Sequence, residues 1–290
     1  ALDIARKTGA EVVLVHAGTI PDPIPDIPEA MEGAAAHFER ALREQLAENR
    51  AKLEALRERV SGGGVPVSQV VIDAFADTGL AEAAKEMHAD LTVVGTHGRT
   101  GVQRFLLGSV AERVVRYSDD SVLVARPNVH SAGGYRRILV PIDFSELSDR
   151  VVDAALTLAA RDGHVDVLHA WELPGANWLT KDIQTARGGA LRQQMAAQAR
   201  KTAEELLARH ATSGVDITVV DREGPATQVI QDVARAGNYD LIAMGSHGRR
   251  GLRRFILGSV AEATVRYAPC SVLVVHPERG AASERDAQEA

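Results

Sequence analysis

Two segments of this chain place glycines where a phosphate could be held. Gly95, Gly98 and Gly108, followed by Ser109, share the spacing Gly-x2-Gly-x9-Gly-Ser with Gly245, Gly248, Gly258 and Ser259. Each segment follows an apolar run suited to a buried strand and ends where a helix is expected to start. Glycine permits positive φ and lets backbone N–H groups approach a ligand closely. A helix opening at Ser109 or Ser259 presents N–H groups without intrahelical partners and the positive end of its dipole. Together these features form an anion cradle fit for phosphates. Arg99 and Arg249 would add charge-assisted bonds.

The same residues also read as plain architecture. Ser109-Val-Ala-Glu112 and Ser259-Val-Ala-Glu262 fit a capping box, with Ser at the N-cap and Glu at N3. The glycines then need only shape a turn. The two readings are compatible, because a capping serine can also bond a phosphate.

The elements that position these segments come from a duplication. Gly95 to Pro127 and Gly245 to Pro277 align without gaps at an offset of 150 and share 21 of 33 residues. That period is far too long for a solenoid and marks a duplicated domain. In the second copy, Arg137–Ile142 reads as strand one, with Ser145 as N-cap of a helix reaching about Arg161. Val165–Ala170 is strand two and Leu173–Thr185 a loop. A long helix spans Leu191–His210, and Asp216–Val220 is strand three. Gly224-Pro225 opens a helix over Ala226–Ala236. Strand four is Asp240–Met244, and the glycine segment follows it. A helix over Ser259–Tyr267 and strand five, Ser271–Val275, complete the copy.

The first copy gives the same list, with a longer central helix, about Ala30–Arg59, after the Pro-rich run Pro21–Pro28. The chain starts at Ala1, inside what reads as a helix to Lys7. That is the pattern of a fragment whose beginning lies upstream, and strand one of the first copy is not in the chain. The expected domains are 1–127 and 135–277, with a linker at 128–134 and a tail at 278–290.

Strands alternating with helices predict parallel sheets covered on both faces. The expected fold class is α/β: two tandem open five-stranded parallel sheets in the order 3-2-1-4-5, flavodoxin-like three-layer sandwiches. In that order strands one and four meet where the winding reverses, which is where such sheets bind ligands. The loop after strand one carries Pro141, Asp143 and Ser145. Asp143 then faces the same crevice as the glycine segment and can accept hydrogen bonds from a base or sugar. Strand five of each copy is an apolar sheet edge, and such edges invite pairing. The two copies are therefore expected to pack through them as an intramolecular pseudo-dimer.

At these residues the sequence resembles a tandem universal stress protein. The matching segments are ILVPIDFSELS (138–148), VLHA (167–170), GSHGRRG (245–251) and LGSVAEATVRYAPCSVLVV (257–275). The resemblance covers essentially the whole chain. It implies the fold just described, the pseudo-dimer, and ATP, alone or with Mg, as ligand. By position, Pro141, Asp143 and Ala170 would flank the adenosine. Gly245, Ser246, Gly248 and Arg249 would line ribose and phosphates, and Gly258, Ser259 and Val260 would hold the phosphates. The first-copy matches are Ala17, Gly95, Gly98, Arg99, Gly108, Ser109 and Val110. No counterpart of Asp143 stands there, so that site is incomplete in this chain. The implied role is nucleotide-dependent stress response or signalling, with a slow ATPase or an interaction module as alternatives.

Other chemistry is less well supported. His97 and His247 could touch phosphate or a metal, but a metal needs three or four clustered ligands, and none are spaced for it. His16 and His169 read as pocket-edge or core histidines. The single cysteine, Cys270, excludes an intramolecular disulfide and suits a reducing cytoplasm. It reads as a structural, partly buried thiol. No Walker motif, GxSxG elbow or HExxH motif is present, and no general base is committed, so efficient catalysis is not expected. The Pro-rich run could cover the cleft or bind a partner, but reads better as solvated surface. The net charge of -6 disfavours nucleic acid and anionic membranes. The cluster Arg249, Arg250, Arg253 and Arg254 is better explained by phosphate binding or solvation. No apolar run approaches the length of a membrane span. Association of two chains is compatible with the pattern.

Overall fold

The structure, a computed structural model, describes residues 1–19, 29–96, 107–126, 133–172, 186–210, 214–248 and 257–277. The chain divides into two compact units, Ala1–His88 and Ala89–Ala290. Three expectations fall outside the described residues: the Pro-rich run, the loop after strand two, and the arginine cluster with His97, Gly98 and Arg99.

The first unit holds α1 (Leu2–Thr8), β1 (Val12–Ala17), α2 (Glu29–Val60), β2 (Val67–Ile72) and α3 (Ala76–Glu86). β1 and β2 pair in parallel, from Val12↔Val67 to Ala17↔Ile72. Gly9 ends α1 in the left-handed region at φ 71, a backbone suited to glycine.

The second unit holds β3 (Leu91–Gly95), α4 (Ser109–Tyr117), β4 (Ser121–Ala125), β5 (Tyr135–Ile142), α5 (Ser148–Leu158) and β6 (Ala159–Trp171). It continues with α6 (Ala186–Ala208), β7 (Asp216–Glu223), α7 (Ala226–Ala236), β8 (Leu241–Gly245), α8 (Ser259–Tyr267) and β9 (Ser271–Val275). Its strands form one seven-stranded sheet in the order β3-β4-β9-β8-β5-β6-β7. The second copy supplies the expected open parallel order 3-2-1-4-5, here β7-β6-β5-β8-β9, whereas the described strands of the first copy do not form the expected five-stranded sheet. The last strands of the two copies are zipped into a single sheet, and the described strands of the first copy are divided between the two units.

The zipper is antiparallel, with Val122↔Val274, Leu123↔Leu273 and Val124↔Val272 in register. At the offset of 150, Leu123 pairs with its own counterpart, so a pseudo-twofold axis passes through that pair. The helices obey the same axis. Arg266 lies 3.4 Å from Glu112, and Arg116 lies 3.7 Å from Glu262. Both leucines and their valine neighbours are buried. Two apolar strand edges have become interior.

Within the second copy, right-handed crossovers put α5 and α6 on one face of the sheet and α7 and α8 on the other. The core strands are aliphatic throughout, as burial on both faces requires. Ile138, Leu139 and Val140 of β5, and Leu241, Ile242 and Ala243 of β8, are fully buried. Three boundaries differ from expectation. α5 ends at Leu158, because Ala159 already pairs with Tyr135 as the start of β6, and the register shifts before Arg137↔His164. The N-cap of α5 is Leu147 rather than Ser145, whose N–H is taken by Asp143 at 3.1 Å. The N-caps of α4 and α8 are Gly108 and Gly258, so Ser109 and Ser259 are the first helical residues and no capping box forms. Glu112 and Glu262 face the arginines across the pseudo-twofold axis instead.

Candidate functional site

Pro141 opens the site. β5 pairs with β8 at Ile138↔Leu241 and Leu139↔Ile242 and no further, whereas β5 continues to Ile142 and β8 to Gly245. Proline has no N–H to give a ladder. The two strands separate beyond it and leave a cleft of about 710 Å³ between their carboxyl ends. This is the point where the winding of the sheet reverses.

Eight of the expected second-copy residues line this cleft: Pro141, Asp143, Ala170, Gly245, Gly248, Gly258, Ser259 and Val260. Ser246 is buried beneath it and fixes the turn. Its N–H donates to the Val275 carbonyl at 2.9 Å, and its carbonyl accepts from Gly258 N–H at 2.8 Å. Arg249 lies outside the described residues. The first-copy residues are divided. Ala17 belongs to the first unit, and Gly95, Gly108, Ser109 and Val110 to the second. Their loop closes like its counterpart, with Gly108 N–H donating to the Thr96 carbonyl at 2.8 Å.

One end of the cleft is polar. The first intrahelical bond of α8 runs from Glu262 N–H to the Gly258 carbonyl at 2.9 Å. The N–H groups of Ser259, Val260 and Ala261 precede it and are left to the cleft. Gly258 has an ordinary φ of -61°, so a preference for glycine there would come from close approach rather than from left-handed backbone. A Cβ would stand 3.3 Å from the Ser246 carbonyl and 3.4 Å from His247 Cα. A Cβ on Gly248 would collide with the Asp143 carboxylate. The glycine turn and the loop after β5 therefore lie directly against each other.

His247 lines the cleft as well, and its Nδ1 is 3.0 Å from Ser246 Oγ. Burial pulls its pKa below the usual imidazole value, with Asp143 opposing. Among the described residues, no group of three or more His, Cys, Asp or Glu side chains could hold a metal ion.

The other end is apolar. Ile142, Leu147, Leu168, Ile230, Met244 and Leu257 supply its floor and walls. None of the six is of a type that carries chemistry, and none is among the site residues expected from the sequence. Their signal in the sequence is position: each stands near the end of a strand or the start of a helix at the carboxyl edge of the sheet.

Comparisons with known proteins bear on the family and the fold. The family model described as "Universal stress protein family" matches residues 1–126 and again 134–276. A universal stress protein of Mycobacterium tuberculosis is 32% identical over 202 residues, covering 64% of this chain and 61% of that protein. The chain thus spans about three fifths of the length of that curated relative. One of Methanocaldococcus jannaschii is 32% identical over 126 residues, covering 43% of this chain and 71% of that protein. Among solved structures, a universal stress protein from Archaeoglobus fulgidus superposes with a TM-score of 0.61 at 20% identity. That superposition covers 95% of this chain and 89% of the other, and it speaks to fold alone. With both copies matched by the same model over a shared α/β fold, the chain belongs to the universal stress protein family.

Proposed function

We propose that the second-copy cleft binds ATP, and that nucleotide occupancy is the signal this chain carries in a cytoplasmic stress response. One observation carries the reading. A helix N-terminus behind a glycine turn and an aliphatic pocket face each other within one cleft at the β5/β8 crevice. The first offers N–H groups and a positive dipole end to phosphates. The second suits the flat apolar faces of a base, and its volume lies in the range of ligand pockets. Asp143, between them, can accept from a sugar hydroxyl or an exocyclic amine. The reading is of binding rather than turnover. Glu262, the acid nearest the cradle in sequence, lies 3.6 Å from Arg266 and 3.7 Å from Arg116. Magnesium would have its ligands in the phosphates themselves.

Ser259 provides the test. It sits at the first helical position with no side-chain cap bond, so Ser259→Ala should leave the melting temperature nearly unchanged. Removing a hydroxyl that bonds a phosphate should weaken ATP binding by roughly 1–3 kcal/mol. Calorimetric titration and a thermal melt of both proteins measure the two quantities. Absence of ATP binding by the unaltered chain, or equal affinity in the two, would overturn the reading.

A further inference from the structure

Phe144 directly follows Asp143 and has a φ of 59°, in the left-handed region that bulky residues avoid. Such a backbone persists only where its surroundings over-determine it. The surroundings are specific. The Phe144 ring packs on His169 with centroids 4.7 Å apart at 41°. His169 Nδ1 donates to Asp221 Oδ1 at 3.3 Å, and Trp171 Nε1 donates to Asp221 Oδ2 at 2.9 Å. His169 and Asp221 are register partners on β6 and β7. His169 and Trp171 point to one face of β6, while Leu168 and Ala170, which line the cleft, alternate with them. The cluster therefore backs the cleft wall without entering it.

We infer that Phe144, held by the His169–Asp221–Trp171 cluster, is a positioning residue for Asp143. The clamped ring fixes the left-handed turn, and the turn fixes the carboxylate. That carboxylate accepts the Ser145 N–H at 3.1 Å and lies beside Gly248, where an added Cβ would displace it. Phe144 thereby sets the affinity of the cleft for a nucleotide while touching none of it. The inference rests on the ATP reading of the cleft for its affinity arm, but not for its conformational arm.

The experiment has both arms. ATP is titrated into the unaltered chain, Phe144→Ala, Phe144→Tyr, Asp143→Ala and the double variant Asp143→Ala/Phe144→Ala. Phe144→Ala should lose affinity about tenfold, the share of one charge-assisted hydrogen bond. Phe144→Tyr keeps the ring and should keep the affinity. With Asp143 already removed, Phe144→Ala should cost less than about twofold further, because coupled residues are not additive. Phe144→Gly accepts the left-handed backbone without strain, so it should fold at least as stably as Phe144→Ala and still bind as weakly.

Hydrogen exchange supplies the second arm. Protection of the Ser145 amide should fall at least about tenfold in Phe144→Ala, while the Val167 amide in β6 keeps its protection. A loss of affinity equally large without Asp143, or unchanged Ser145 protection, would overturn the positioning role. If the unaltered chain binds no ATP, the nucleotide reading falls, and Ser145 protection alone decides whether the clamp exists.

Discussion

Leu273→Ala tests the seam between the two copies. Leu123 and Leu273 are 1% and 2% exposed and face each other in register on the pseudo-twofold axis. Directly opposed residues of an antiparallel pair have Cβ atoms about 5 Å apart, so each leucine is a principal neighbour of the other. Truncation removes about three carbons' worth of transfer free energy and leaves a cavity that a strand-on-strand seam cannot easily close. The expected cost is about 3 kcal/mol, within the measured range for buried Leu→Ala. For a unit of this size that lowers the melting temperature by roughly 6–12 °C. Leu123→Ala should cost a similar amount, since the two leucines face each other across the pseudo-twofold axis and are equally buried. The double variant should cost about 1 kcal/mol less than the sum, because the second truncation opens into the void left by the first. Ile138 supplies the control. It is fully buried on β5, three strand spacings from β4, or about 14 Å, so Ile138→Ala should add to Leu123→Ala without coupling. Urea unfolding of the unaltered chain and the five variants, including Leu123→Ala/Ile138→Ala, measures every term, with the slope reporting whether the unit still unfolds as one. Strict additivity of the two leucines, or a separate early transition, would refute the claim that the seam is continuous core.

Two further outcomes follow from titratable groups, one half-buried and one buried. His164 bridges Asp166 at 3.0 Å and Asp216 at 2.7 Å. Burial opposes its charged form, but hydrogen bonds to the two carboxylates carry its pKa above the ordinary 6.5. Its contribution to stability is therefore full below pH 6.5 and is lost as pH rises through the higher folded value. His164→Gln should flatten the stability–pH curve between pH 6 and 8 in denaturant melts, and a curve of unchanged shape would contradict the bridge. Cys270 is 2% exposed, and burial pushes its thiol up to about 12. Alkylation by iodoacetamide should proceed only as fast as the unit opens, and should reach the rate of a free thiol in denaturant.

The chain's local signals were strong enough to place many elements. Gly224-Pro225 marks the start of α7, and the apolar run Ser271–Val275 is β9 as drawn from its composition. The meeting of Asp143 with the glycine turn also followed, because it depends only on strand order and on which loops leave the carboxyl edge. Other features depend on partners distant in sequence. Ser259-Val-Ala-Glu262 satisfies the capping pattern, yet Glu262 has Arg116 across the seam as a competing partner and the cap moves to Gly258. Ala159 lies in a stretch of good helix formers, but Tyr135 draws it into the sheet. The aliphatic floor of the cleft and the clamp behind Phe144 bring together residues from five elements and the loops between them, whose types carry no signature. Hydropathy shows such residues to be buried and does not say beside what.

The axis through Leu123 and Leu273 has a consequence for how this molecule can change. In a dimer of identical chains, each residue beside the twofold occurs twice, and any substitution is imposed on both sides at once. Here the two sides are encoded separately, and they have already diverged. Arg126 reaches the Arg266 carbonyl at 3.4 Å, whereas its counterpart at the offset of 150 is His276, which burial pushes down to about 4 and so keeps neutral. Asp120 likewise faces Cys270 as its equivalent, one an acid and the other a thiol, both buried. Tethering also makes the seam's formation independent of protein concentration, since each half meets the other at a fixed effective concentration. One half is thus at liberty to drift in charge and chemistry while the other keeps its cleft unchanged, a freedom that symmetry denies to an assembly of equals.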